Sequence, residues 1–177
     1  AVGDKLRALT TVGSIVAKTT AILVSGTSFP DGLAAGGLAY LGKHPILLTN
    51  GSSLGAGTTA FLNNEINPIA QVLIVGGTAA VAEAVATEVK AIKNGLVAIN
   101  VMRVSGADRY ATALELAKFR AKATVLQGNA EVVTNIMLVS GENFADALSS
   151  AAKAGVTATM TLLSTASAVD SATSTWV

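Results

Sequence analysis

The chain has 177 residues, of which 51% are apolar and 13% charged, and twelve Lys and Arg against eleven Asp and Glu leave a net charge of +1. With no basic run to neutralise phosphates, that balance argues against nucleic acid as a partner. The absence of cysteine and the presence of one histidine argue against a disulfide framework and a transition-metal site.

Aromatic residues make up 4% of the chain, so its core must be built from closely packed Ala, Val, Leu and Ile. Gly, Ser, Thr and Asn interrupt every apolar stretch before the roughly 18 to 20 residues of a membrane span. No signal-peptide pattern opens the sequence, so a secreted protein is expected to be represented here by its mature form or a fragment.

In chain order, the first apolar run is Ile22, Leu23, Val24, followed by Ser25-Gly26, an Ala-rich helical stretch and a second apolar run, Ile46, Leu47, Leu48. Short apolar runs bounded by turns read as buried parallel strands, so this is a βαβ unit. Ser28-Phe29-Pro30-Asp31 opens the helix in a capping-box-like spacing, with Pro30 at its first position. Residues 51–57 and 63–68 are loops. Gln71-Val72-Leu73-Ile74-Val75 is a strand, Gly76-Gly77 a turn, and residues 78–93 a helix with Val81, Val85, Val89 and Ile92 on one face.

Asn94-Gly95 closes that helix, and a domain boundary belongs near 94–100, dividing the chain into modules 1–94 and 95–177. A strand-like stretch over 96–104 leads to Ser105-Gly106-Ala107-Asp108-Arg109-Tyr110 and a helix over 111–122, with Asp108 placed to cap it. Residues 127–131 read as an insertion. Ile136 to Val139, Ser140-Gly141, a helix headed by Asn143 and Asp146, and Thr161-Leu162-Leu163 then repeat the first unit. Slid without a gap, residues 21–50 and 136–165 agree at about ten of thirty positions, which marks an internal repeat. The Ser- and Thr-rich tail, 164–175, is expected to be an extended connector or a partner-dependent strand.

The run Arg103-Val-Ser-Gly106-Ala-Asp108-Arg109-Tyr110-Ala-Thr112-Ala, followed by Leu138-Val-Ser-Gly-Glu-Asn-Phe-Ala-Asp-Ala-Leu148, resembles the cell-wall-binding repeat 2 family. Pro45-Ile46-Leu47-Leu48 and the strand ending in Gly76-Gly77 continue the resemblance. In the first module Asp4-Lys5-Leu6 stands where Asp-Arg-Tyr is expected. In the second, Met160-Thr161-Leu162-Leu163 replaces Pro-Ile-Leu-Leu, and the pattern is expected to stop after Leu163, without a Gly-Gly strand or final helix. The resemblance implies an α/β fold of tandem βαβ-rich modules, with short, mostly parallel sheets flanked by helices. It further implies a non-catalytic extracellular module without a cofactor, attached noncovalently to an anionic cell-wall polysaccharide or secondary wall polymer.

Arg supplies a planar fork suited to carboxylate or phosphate groups, which makes Arg109 and Arg103 candidate polymer contacts, with the Gly76-Gly77 turn as an anion cradle and Lys43 assisting. The competing structural reading has Asp108 capping its helix and Arg109 pairing internally; Asp31 and Asp146 are likewise read as helix caps rather than metal ligands. Gly76-Gly77 lacks the spacing of a dinucleotide fingerprint or P-loop. His44 has no nucleophile elbow to serve and is expected in an exposed turn. A second functional reading is a self-assembling subunit of a surface layer or filament. An open edge on the second sheet, completed by another copy of the chain, is expected from counting its elements.

Overall fold

The computed structural model describes residues 14–15, 18–65, 68–94, 97–126, 135–157 and 159–177. The degenerate opening Asp4-Lys5-Leu6 and the insertion at 127–131 lie outside them.

The first sheet is built on β2 (Lys18–Ser25), whose residues from Thr20 onward are all buried. It pairs in parallel with β3 (Ile46–Thr49) on one side and β4 (Gln71–Val75) on the other, and β7 (Asn100–Val104) pairs in parallel with β4. The short β1 (Ser14–Ile15) runs antiparallel to the start of β2, and β5 (Lys93–Asn94) and β6 (Val97–Ala98) form a separate two-stranded ladder. The expected strand over 96–104 is thus split at Ile99. The sheet also extends past the expected junction near 94–100, because β7 is its fourth strand.

Parallel neighbours need crossover helices. Helix α1 (Pro30–Gly42) joins β2 to β3, α2 (Ala56–Leu62) joins β3 to β4, and α3 (Glu83–Ala91) lies between β4 and β7. One face of the sheet packs Leu23, Val72 and Ile74 against Phe61 and Leu62 of α2 and Val85 and Val89 of α3. The opposite face packs Ile22, Val24, Leu73 and Val75 against Ala34, Ala35 and Leu38 of α1. Helix α3 starts at Glu83 rather than Thr78. Ala80 and Val81 donate to the Gly77 carbonyl in a turn, and extended Ala82 donates to Gly51 O, which delays the helix.

The second unit comprises α4 (Arg109–Leu126), β8 (Ile136–Ser140), α5 (Phe144–Val156), β9 (Met160–Ser164) and α6 (Ser171–Trp176). It repeats the first at a constant offset of 115, Ser25 answering to Ser140. The Ile22↔Ile46 register of the first unit recurs as Met137↔Thr161. Gly26 N donates to Thr49 O and Gly141 N to Ser164 O, both at 2.8 Å. Ser25 Oγ accepts the N–H groups of Thr27 and Ser28, and Ser140 Oγ those of Glu142 and Asn143.

The repeat does not stop at Leu163. Asn50 Oδ1 accepts from Ser52 N and Ser53 N, and at the same offset Thr165 Oγ1 accepts from Ser167 N and Ala168 N. The tail then forms α6 where the first unit has α2, instead of a connector or an added strand. Asp170 Oδ2 caps α6 by accepting from Ala172 N and Thr173 N. Trp176 stands at the place of Phe61 and packs against Leu114, Ala117, Met160 and Leu162.

The two units share one core. Val104, Ala113, Leu116, Ala147 and Leu163 join the residues of α1 and the first sheet in a single cluster. Helices α1 and α5 meet through small residues: a Cβ on Gly37 would lie 3.2 Å from Ala154 Cβ, and one on Gly36 would press into the Ala151 methyl. Gly and Ala allow the two backbones to approach this closely. No helix among the described residues is long and apolar enough to cross a membrane.

Candidate functional site

The carboxyl ends of β2, β4 and β7 lie side by side because the three strands are parallel and adjacent. Two arginines meet these ends. Arg103, on β7, donates from Nη1 to Gly76 O at 2.9 Å and from Nη2 to Glu83 Oε2 at 3.3 Å, while Lys90 Nζ lies 3.7 Å from Glu83 Oε1. Gly76 also donates its N–H to Val104 O. Its φ of +120° favours glycine, and a Cβ there would sit 2.7 Å from Asp31 Oδ2.

Asp31 occupies the first turn of α1 but does not cap it. The helix is entered at Phe29 with no side-chain cap, since Ser25 Oγ already takes the N–H groups of Thr27 and Ser28. Asp31 instead faces Thr112 of α4, across the joint between the units. Burial raises its pKa above the usual 3.8; the Thr112 hydroxyl and the charge of Arg109 act against that rise, and the charge of Asp108 adds to it.

Gly106, Asp108, Arg109, Tyr110 and Thr112 of the motif at 103–112 have places at this joint. Thr112 is buried, and its Oγ1 accepts from Gly106 N at 3.0 Å. A Cβ on Gly106 would collide with the backbone of Ala111 and Thr112, so only glycine lets the chain turn so closely under α4. Asp108 Oδ1 accepts from Ala111 N at 2.8 Å. Arg109 donates from Nη1 to Gly141 O at 2.7 Å, and the Tyr110 ring lies where a Cβ on Gly141 would be.

The structure brings Arg103, Gly76 and Gly77 together, and places Arg109 beside Asp31 on the same rim. The Gly77 carbonyl is spent on the turn to Ala80 and Val81. Helix α3 does not begin at Gly76-Gly77, so the turn offers no helix N-terminus as an anion cradle. Lys43 is elsewhere. It ends α1 in a left-handed conformation (φ 53°), thirteen residues along the helix from its start, or about 20 Å at 1.5 Å per residue. Asp146 is exposed in the first turn of α5, where Asn143 Oδ1 accepts from Ala145 N, and its side chain has no partner among the described residues. His44 is buried rather than exposed, because Gly42 has no Cβ to collide with its ring.

Thr112, Gly141 and Glu83 are site residues that the sequence reading left without a role. The first two lie within the quoted motifs, but their partners belong to other elements and become evident only once the units are docked. Among the described residues no group of three or more His, Asp and Glu is placed to hold a metal ion.

The family model described as Cell wall binding domain 2 matches residues 9–86 and 103–176. N-acetylmuramoyl-L-alanine amidase LytC of Bacillus subtilis (strain 168) is 35% identical over 113 residues, covering 62% of this chain and 21% of that protein. Among solved structures, Cwp6 from Clostridium difficile is similar with a TM-score of 0.76 and 29% identity, covering 90% of this chain and 23% of that one. Cwp8 from the same organism gives a TM-score of 0.71 and 28% identity, covering 92% and 25%. The chain therefore spans between a fifth and a quarter of the length of these relatives. Two tandem matches spanning both structural units place it plainly: the chain belongs to the Cell wall binding domain 2 family, as a non-catalytic, extracellular module of the cell surface.

Proposed function

We propose that the two units attach their parent protein noncovalently to an anionic polymer of the cell envelope, a cell-wall polysaccharide or secondary wall polymer. The observation that carries this reading is the pair of arginines on the rim formed by the carboxyl ends of β4 and β7 and the head of α4. Open parallel sheets commonly receive ligands outside the carboxyl ends of their strands. Arg103 and Arg109 each spend Nη1 on a backbone carbonyl. An arginine carries five N–H donors, so others remain for carboxylate or phosphate groups. Gly76, whose carbonyl receives Arg103, and Gly77 would line the site beside it, and Lys43 would meet a more distant stretch of an extended polymer. Weak contacts multiplied along a repetitive chain give avidity without any single strong site.

The test is co-sedimentation of the chain with purified wall material, before and after acid extraction of its anionic polymers. Binding should disappear on extraction and weaken several-fold in Arg103→Gln. Equal binding to extracted and intact walls would defeat the reading.

A second reading is a self-assembling subunit of a surface layer or filament, in which the partner is another copy of the chain. The observation favouring it is the low proportion of charged residues, 13% of the chain, which suits a surface buried between copies. Concentration-dependent assembly without any polysaccharide would support this reading.

A further inference from the structure

We propose that Glu83 is a built-in competitor at Arg103, a carboxylate that an anionic group of the polymer must displace, and that it thereby restricts this part of the site to repeating anions and excludes small free ones. The proposal rests on the reading of the rim as a polymer site.

The two arginines of the rim face different carboxylates. Arg109 lies beside Asp31, which is half-buried at the joint between the units. Arg103 is pinned through Nη1 to Gly76 O at 2.9 Å, and its Nη2 donates to Glu83 Oε2 at 3.3 Å. The Arg103 side chain is 20% exposed and that of Glu83 63%, so the guanidinium is the fixed partner and the carboxylate the free one. A carboxylate that leaves so open a position uncovers no core. It also keeps a partner, because Glu83 Oε1 lies 3.7 Å from Lys90 Nζ, about two turns further along α3. Glu83 thus bridges two cations, and a polymer group can take over Nη2 while Glu83 stays with Lys90.

An acidic residue suits the first turn of a helix because the dipole favours negative charge there. That accounts for a carboxylate at position 83 but not for its direction. Helix α3 is entered at Ala82 without a side-chain cap, and the Glu83 side chain reaches β7 instead. Held on the same chain, it competes at an effective concentration on the order of millimolar or more. A free phosphate ion at lower concentration loses that competition. A polymer meets it on equal terms, because a neighbouring group held at Arg109 gives the next one a comparable effective concentration. Exposed ion pairs are individually weak, so the competition is worth about two- to fivefold in affinity.

The experiment is co-sedimentation of the full chain with purified wall material at low ionic strength, comparing the native chain, Glu83→Gln, Arg103→Gln and the double variant, with circular dichroism confirming each fold. Glu65→Gln, which removes the same charge between α2 and the amino end of β4, controls for net charge. Glu83→Gln should bind about two- to fivefold more tightly than the native chain. Glu65→Gln should change binding little, and the gain from Glu83→Gln should vanish when Arg103 is already Gln. Inorganic phosphate, added at constant ionic strength, should release Glu83→Gln from the wall at a several-fold lower concentration than it releases the native chain. Glu83→Ala should reproduce both effects. Binding of Glu83→Gln no tighter than native, a gain matched by Glu65→Gln or surviving in the double variant, or equal sensitivity to phosphate overturns the proposal while the polymer reading stands. A native chain that binds extracted and intact walls alike defeats that reading, and the proposal with it.

Discussion

Thr112 of α4 and Asp31 of α1 face each other across the joint between the two units, and the Thr112 hydroxyl favours the charged form of the Asp31 carboxylate. Thr112 Oγ1 accepts the Gly106 N–H, so one buried hydroxyl ties the turn before α4 to the helix itself. Replacing Thr112 by Val keeps the shape but leaves the Gly106 N–H without its partner, which costs about 1–3 kcal/mol where water cannot reach it. Urea unfolding should show Thr112→Val less stable by about that amount. Carbon-detected NMR titration should show the Asp31 pKa raised further, since the hydroxyl opposing its rise is gone.

Asp31 also sets a pH dependence whose sign follows from its environment. Its folded-state pKa is raised, chiefly by burial, so the folded chain holds this proton more tightly than the unfolded chain. The resulting stabilisation is complete below the unfolded value near 3.8 and is lost as pH rises through the folded value. At neutral pH the ionised carboxylate is a net burden relative to a neutral isostere. Stability measured against Asp31→Asn over a pH series should therefore fall for the native chain, relative to the variant, as pH rises from 3.8. A flat difference would mean that burial of Asp31 is unimportant.

The repeat was legible in the sequence because identities fall where geometry is demanding: the Ser25 and Ser140 turns, Gly26 and Gly141 after the strands, and Leu47 and Leu162 inside. The role of Asp31 was not. Its spacing from Ser28 is that of a cap, and only the docked α4 brings Thr112 and Arg109 to face it. The tail was missed because α2 and α6 share just Thr58 and Thr173, and burial of Trp176 depends on α4 rather than on its own helix. The strand at 100–104 reads correctly as a strand, but nothing local says which sheet it joins. The separation of Lys43 from the arginines was hidden because the length of α1 intervenes.

The shared core and the pairing of β7 with β4 predict that the halves 1–94 and 95–177 do not unfold independently. Trp176, the single tryptophan, reports the second unit, while circular dichroism reports both. The two signals should give coincident urea transitions in the native chain, the signature of a single cooperative unit. Gly36→Leu drives a side chain into Ala151, and overpacking of this kind typically costs about 1–3 kcal/mol. The same variant should separate the two transitions, because it wedges apart the α1–α5 contact while leaving each sheet intact. Separate transitions in the native chain would show the units to be autonomous.

Helix α6 is six residues long, too short to persist without tertiary contacts. Two features hold it: Asp170 satisfies the N–H groups of Ala172 and Thr173, and Trp176 packs on Leu114, Ala117, Met160 and Leu162. Loss of an Asp cap costs about 1 kcal/mol. Truncating a fully buried tryptophan costs about 3–5 kcal/mol, and Trp176 is only partly buried, so about 2 kcal/mol is expected for Trp176→Ala. The two contributions should not add. Once Trp176 is gone the helix is undocked, its cap has little left to stabilise, and the double variant should be scarcely worse than Trp176→Ala alone. Hydrogen exchange at Ser174 and Val177, whose N–H groups bond to Asp170 O and Thr173 O, separates the cases. Asp170→Ala should raise exchange there while the Met160 and Leu162 amides stay protected. Trp176→Ala should expose the tail amides fully and lower protection in β9 as well, since Met160 and Leu162 lose their cover. Unchanged protection in β9 would mean that the tail rests on the second unit without stabilising it.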